Sequence, residues 1–199
     1  MIQGRVKRIH FTGLLDKIKS RITAWRGRHL SLQGRCVLIK SVLSSIPVYN
    51  MSIYKWPSSI IIDCEILWTG DPFKAKKTTV AWDKSCKPSS EGGLGLQRMK
   101  ELNLALLMKL AWQVLTTYDE FSVFIRHKFF TYDGEQIQYH TCSSICNGIK
   151  WALSKMVPYV KWIIGDGRKA DLWRSCCACT HAIKNALHLR IEDLKHCRA

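Results

Sequence analysis

The stretch from Asn103 to Leu115, NLALLMKLAWQVL, constrains this chain more than any other. Leu106 and Leu110 continue a side begun at Leu102, while Leu104, Leu107, Ala111 and Val114 occupy another, so apolar residues lie on nearly every side of a helix of 3.6-residue period. Such a helix is predicted to be buried almost all round, and the rest of the chain must supply the elements that cover it. Just before it, EGGLGLQ places Gly92, Gly93 and Gly95 where a positive φ or a close backbone approach can be met. The helix is expected to start at Asn103 or a nearby residue.

Candidate covering elements lie on both sides. Leu14, Ile18, Ile22 and Trp25 follow one another at spacings of four, four and three, which draws one apolar stripe along a helix with Lys17, Arg21 and Arg28 on another face. Leu32, Cys36, Ile39, Leu43 and Ile46 repeat the pattern behind an N-cap at Ser31, and Pro47 closes that helix or opens the next. SSIIIDCEILW predicts a third, short helix, TGDPFKAKK an exposed turn, and TTVAWD a short strand.

Downstream, Phe121, Phe124, Ile125 and Phe129 are expected on one helical face, with Asp119 or Glu120 at its positive end. Ile145, Ile149, Ala152 and Met156 predict another helix ending before Pro158, and Ile183, Leu187, Ile191 and Leu194 a last amphipathic one. Val160, Trp162 and Ile164 alternate into Gly165-Asp166-Gly167, which reads as a hairpin running to Trp173. The fold class expected is mainly α, a helical bundle-like fragment with a small β-hairpin near the C-terminal third.

With 47% hydrophobic residues in 199, the chain can bury a core and stands apart from compositions that remain disordered; one large or two small domains are expected. Its charge is uneven. The first 40 residues carry Arg5, Lys7, Arg8, Lys17, Lys19, Arg21, Arg26, Arg28, Arg35 and Lys40 against the single acid Asp16, about +9 of a total of +16. Nucleic acid is the leading partner for such an end, through counterion release, ahead of an acidic membrane surface or a merely soluble basic protein. No apolar run approaches the roughly 20 residues needed to cross a bilayer, no signal-peptide core follows the basic N-terminus, and nine cysteines in no regular framework suit a reducing compartment. The expected location is intracellular, nucleus or cytoplasm, with no membrane partner.

Several stretches, in order, resemble one family. LLDKIKSRITAWRGRHLSLQGRCVLIKSVLSSIPVYNMSIYKWP, ILWTGD, VAWDKSCKPSSEGGLGLQRMKELNLALLMKLAWQVL and VKWIIGDGRKADLW are similar to the polyprotein of plant LINE-type (non-LTR) retrotransposons. The matching portion follows the reverse transcriptase core, running from the thumb and connection into the region called the reverse transcriptase zinc-binding domain. The resemblance implies a basic helical thumb/connection-like region over 1–78 and a strand, Gly-rich turn and buried helices over 79–135. A partial zinc-binding-like region over 136–175 and a divergent tail over 176–199 would complete the chain.

Carried over onto matching stretches, the resemblance implies nucleic-acid contact by Lys17, Lys19, Arg21, Trp25, Arg35 and Lys40, to which Arg26 and Arg28 are added as neighbouring cations. Gly92 to Gly95 and Asn103 to Leu107 match segments that look structural. Departures occur at Trp56-Pro57-Ser58, where Leu-Pro-Lys is expected, and at LWRSCCACTHAIKN, which lacks an expected acid and a final Trp. They suggest a decayed or truncated copy.

A polymerase needs paired carboxylates to hold two metal ions about 4 Å apart. This sequence has no Asp-Asp pair; its doublets Asp119-Glu120 and Glu192-Asp193 fall on expected helices, where they cap or face solvent. The endonuclease and ribonuclease H portions of such polyproteins are unmatched, so no enzyme activity is expected of this segment. Cys176, Cys179 and His181 are the candidate metal ligands, but Cys-x-x-Cys lacks a second ligand pair at a usual distance, so no metal or other cofactor is expected. His29, His127 and His140 have no partner arranged for nucleophilic chemistry. Trp25, Trp56, Trp82 and Trp112 could stack bases, although tryptophans beside leucines at helical spacing more often join a core. The expected function is therefore a non-catalytic fragment binding the RNA or DNA backbone, an RNA–DNA hybrid above all, without base specificity. The alternatives are a helical interaction module, for which other retroelement polyprotein domains would be partners, or a non-functional relic.

Overall fold

The computed structural model describes residues 2, 4, 6–26, 32–68, 82–131, 137, 143–161 and 187, with the side chains of residues 25, 26, 32, 35 and 66–68 outside that description. The chain divides into two compact units, Met1–Ala152 and Leu153–Ala199. The described part is mainly helical, as the periodicity predicts. The expected hairpin beyond residue 161 and the last amphipathic helix lie outside the described residues, Leu187 apart, which sits in a turn.

In the first unit a 3₁₀ turn, Arg8–Phe11, leads directly into α1, Thr12–Arg26. Phe11, Leu15, Ile18 and Ile22 are buried at spacings of four, three and four, so Ile18 and Ile22 of the expected stripe enter the core while Leu15 is buried in preference to Leu14, which is half-buried. Helix α2, Leu32–Leu38, runs on into a π-helical turn, Ile39–Leu43, closed by the Ser44 N–H donating to the Ile39 carbonyl at 3.0 Å. The extra residue of that turn re-aims the helix face, leaving Cys36 and Ile39 half-buried while Leu43 is buried. Pro47, fully buried, precedes the single turn α3, Val48–Met51.

Helix α4, Ser58–Trp68, packs on α1 and on α6, Met99–Thr116, which in turn packs on α3 and on α7, Glu120–Phe129. Trp56 lies 3% exposed, with its ring centroid 5.1 Å from that of Phe11, tying the segment before α4 to the start of α1. Trp82 and Asp83, expected in a strand, instead begin the short helix α5, Trp82–Ser85; the rest of that expected strand is outside the described residues. Alternation over a few residues does not separate a strand from one helical turn.

Two further expectations are corrected. Helix α6 begins at Met99, four residues before Asn103, and buries one side only: Met99, Asn103, Leu107, Ala111 and Val114. Leu104 and Met108 are half-buried, and Trp112 and Leu115 are 48% and 40% exposed. The contacts from α3, α4 and α7 cover one flank, and the apolar residues that continue round the helix exceed what the described residues enclose.

On α7 the buried residues are Ser122, Ile125 and Phe129, while Phe124 is 58% and Phe121 37% exposed. The small Ser122 is chosen over the phenylalanines because it reaches α6: its hydroxyl lies 3.0 Å from that of Thr117, the residue that closes α6. Asp119 stands at the N-cap position of α7, as expected, and hydrogen bonds from the Ser122 and Thr117 side chains hold its carboxyl below the usual range. Arg126 donates to the Val114 carbonyl at 2.7 Å, supplying a cation and a donor to the last turn of α6.

Helix α8, Ser144–Met156, buries Ile145, Ile149 and Ala152 of the predicted stripe, while Met156 at its end is half-buried. At Gly148 a side chain would crowd α6, since a Cβ built there meets a Leu107 methyl at 3.2 Å and the Lys55 backbone nitrogen at 3.3 Å.

Candidate nucleic-acid interface

The buried face of α1 dictates where its charges go. Lys17 and Arg21, four residues apart, stand one above the other on the same exposed flank. Lys19, two residues from each, points to the other side, where its ammonium lies 3.9 Å from a carboxylate oxygen of Asp16. Both partners of that pair are well exposed, so it holds Lys19 only weakly. Lys17 and Arg21 make no ion pair with any described residue. Nearby, Arg8 is already engaged, 2.9 Å from Asp63 of α4.

The predicted interface is thus divided rather than continuous: Lys17 and Arg21 form one pair, Lys19 flanks the opposite side, and Lys40 is exposed on the π turn. Trp25 and Arg26 belong to the last turn of α1 and Arg35 to α2, but their side chains, like the whole of Arg28, lie outside the described residues. Cys176, Cys179 and His181 lie outside them as well. Among the described residues no group of three or more His, Cys, Asp or Glu could hold a metal ion.

Lys40 occupies an unexpected place. A Cβ built on Gly95 would lie 3.6 Å from the Lys40 ammonium and 3.7 Å from the Ser89 hydroxyl, so the fold sets this lysine against the Gly-rich turn more than 50 residues downstream. That turn is what the three glycines promise. Gly92 has φ +76° and Gly95 φ +61°, and a Cβ on Gly93 would stand 2.0 Å from the Lys87 carbonyl oxygen. Lys84, Lys87 and Lys100 around the turn are exposed. Sequence reasoning placed none of them in an interface, although Lys84 and Lys87 are visible beside the glycines; the missing information was the arrival of Lys40.

Arg98, which precedes α6, is committed elsewhere: it lies 3.0 Å from Asp83 and 3.8 Å from Glu101. Burial raises the pKa of Glu65 of α4, outweighing the opposing influence of nearby Trp82, Arg98 and the Met99 backbone. Glu65 thus stands where α4, α5 and the start of α6 come near one another.

Three of the described cysteines, Cys64, Cys86 and Cys146, are not poised for chemistry. Burial, reinforced by the neighbouring Asp63 and Glu65 carboxylates, pushes the Cys64 thiol up to about 12, and burial likewise raises Cys86 and Cys146. A thiol in that state is neither a ready nucleophile nor a ready metal ligand. No described helix is long and apolar enough to cross a membrane.

These features define a mainly helical protein with exposed cations on α1 and around a glycine turn. The chain is 34% identical over 185 residues to a protein of Arabidopsis thaliana that bears the name "Putative ribonuclease H protein". The alignment covers 87% of this chain but only 30% of that relative's length. No protein-family model matches the chain, and no solved structure matches it.

Proposed function

We propose that the chain is a retroelement-derived nucleic-acid-binding segment, corresponding to the thumb and connection of a plant LINE-type reverse transcriptase polyprotein and running into its zinc-binding domain region. It binds the sugar–phosphate backbone of an RNA–DNA hybrid, without base specificity and without catalysing a reaction. The observation that carries this reading is the Lys17–Arg21 pair, exposed and without an acidic partner among the described residues, on a helix whose opposite face is anchored by Leu15, Ile18 and Ile22. Cations held in this way neutralise phosphates and release counterions without reading bases. The resemblance of the ordered motifs supports the retroelement origin, and the name of the Arabidopsis relative agrees with a nucleic-acid context. The non-catalytic reading rests on the scattered acids of the sequence, which offer no Asp-Asp pair.

The test is the triple variant Lys17→Ala/Lys19→Ala/Arg21→Ala, measured by fluorescence anisotropy with two RNA–DNA hybrids of unrelated sequence. Binding should weaken equally for both, and the slope of log K against log salt should become shallower by roughly 2 to 3. Unchanged affinity in a variant that keeps its far-UV circular dichroism would overturn the reading. A helical module that docks other polyprotein domains is the second reading, favoured by Trp112 and Phe124 at 48% and 58% exposure. It predicts association that persists in high salt.

A further inference from the structure

We infer that the Gly-rich turn between α5 and α6 is a second phosphate-contacting site, a bare glycine ridge flanked by Lys40 and Lys87. The inference rests on the nucleic-acid reading above and extends it to a surface outside α1.

The turn's own amides are spent. Gly92 donates to the Ser89 carbonyl at 3.2 Å, Gly93 to Pro88 at 3.0 Å, Leu94 to Ser85 at 3.0 Å, Gly95 to Lys87 at 2.8 Å and Leu96 to Ser85 at 3.3 Å. Phosphate therefore cannot be cradled by a nest of backbone N–H groups, which requires free donors. What the turn offers is access. A Cβ built on Gly92 meets no atom within 4 Å, so the turn is open at that residue, and the glycine there leaves no side chain to hold a polyanion away.

Side chains supply the charge. The Lys40 ammonium and the Ser89 hydroxyl both lie within 3.7 Å of the point where a Gly95 side chain would begin. Lys87, also exposed, is held at the turn by its main chain, since its carbonyl is what a Cβ on Gly93 would strike and what the Gly95 N–H binds at 2.8 Å. An ammonium and a hydroxyl beside an unobstructed main chain suit a phosphodiester, the ammonium as a point charge and the hydroxyl as a hydrogen-bond donor. Glu91 is the acid within the turn, and Arg98 is held by Asp83 and Glu101, so Lys40 and Lys87 supply the cations nearest the glycines, with Lys84 and Lys100 exposed at either end. The π turn that carries Lys40 is the device that brings it here, a distortion often found at functional positions.

The experiment compares the full chain with Lys40→Gln/Lys87→Gln, and with Lys155→Gln/Lys161→Gln as a control that removes the same charge from two other exposed lysines. Each is titrated by anisotropy with one labelled RNA–DNA hybrid across several salt concentrations. The Lys40/Lys87 variant should bind roughly ten- to sixty-fold more weakly near 0.1 M salt, with a slope shallower by about 2, while the control stays within about twofold of the parent. Parent-like binding by the Lys40/Lys87 variant would overturn the inference. So would equal weakening in the control, which would show that net charge alone is read. If the α1 triple variant loses affinity and the Lys40/Lys87 variant does not, only the turn fails; if the folded parent does not bind, both readings fail.

Discussion

Replacing Asn103 by alanine is expected to destabilise the protein by about 3 to 5 kcal/mol, read as a shift of the urea midpoint. Asn103 is 1% exposed on α6, and its amide group serves three backbone partners in the segment that joins α3 to α4. Its Oδ1 accepts from the Trp56 N–H at 3.0 Å, and its Nδ2 donates to the Met51 carbonyl at 2.7 Å and the Tyr54 carbonyl at 3.0 Å. Alanine would leave all three stranded in a dry site, and each unpaired group costs about 1 to 3 kcal/mol.

Leucine should not rescue the loss, because it restores volume but no hydrogen bond. Aspartate should not either, since it has no amide hydrogen to offer two carbonyls. An alanine variant within about 1 kcal/mol of the parent would show that water reaches the site and that the segment is not pinned.

The second large effect is expected at Gly93→Ala, about 2 to 4 kcal/mol. The new Cβ would stand 2.0 Å from the oxygen and 2.4 Å from the carbon of the Lys87 carbonyl, and a backbone group cannot swing aside as a side chain can. Relief requires opening the turn, which sacrifices the Leu94–Ser85 and Gly95–Lys87 hydrogen bonds. Gly92→Ala is the informative contrast. There the φ of +76° is unfavourable for an L-residue but the space is open, so the cost should be only about 1 to 2 kcal/mol. Equal losses at the two positions would mean that conformation, not collision, governs the turn.

How far the sequence foretold this architecture depends on the kind of signal. Regular stripes were legible: Ile18 and Ile22, or Ile145, Ile149 and Ala152, are buried as their spacing requires. The three glycines were equally readable, because a positive φ or a close contact demands that residue. Where apolar residues were in surplus, periodicity could not choose among them. On α7 the phenylalanines outcompete serine in any hydropathy count, yet Ser122 is buried and Phe124 exposed, since contact with the end of α6 fixes the rotation of the helix.

Asn103 shows the same limit for polar groups. Its position in an apolar helix was visible, but its three acceptors and donors come from residues about 50 positions away. For the candidate interface, charge density at the N-terminus was plain, whereas its division into a Lys17–Arg21 flank and a separate Lys40 beside Gly95 needed the fold.

The central claim is that this surface binds nucleic acid through phosphate contacts, and the most direct measurement is the salt dependence of binding by the unmodified chain. Protein shown to be monodisperse by light scattering would be titrated with two RNA–DNA hybrids of unrelated sequence at several salt concentrations. Contacts by Lys17, Arg21, Lys40 and Lys87 predict parallel lines of log K against log salt with slopes of about −3 to −4. Binding that is independent of salt, or absent at low salt from folded protein, would contradict the account.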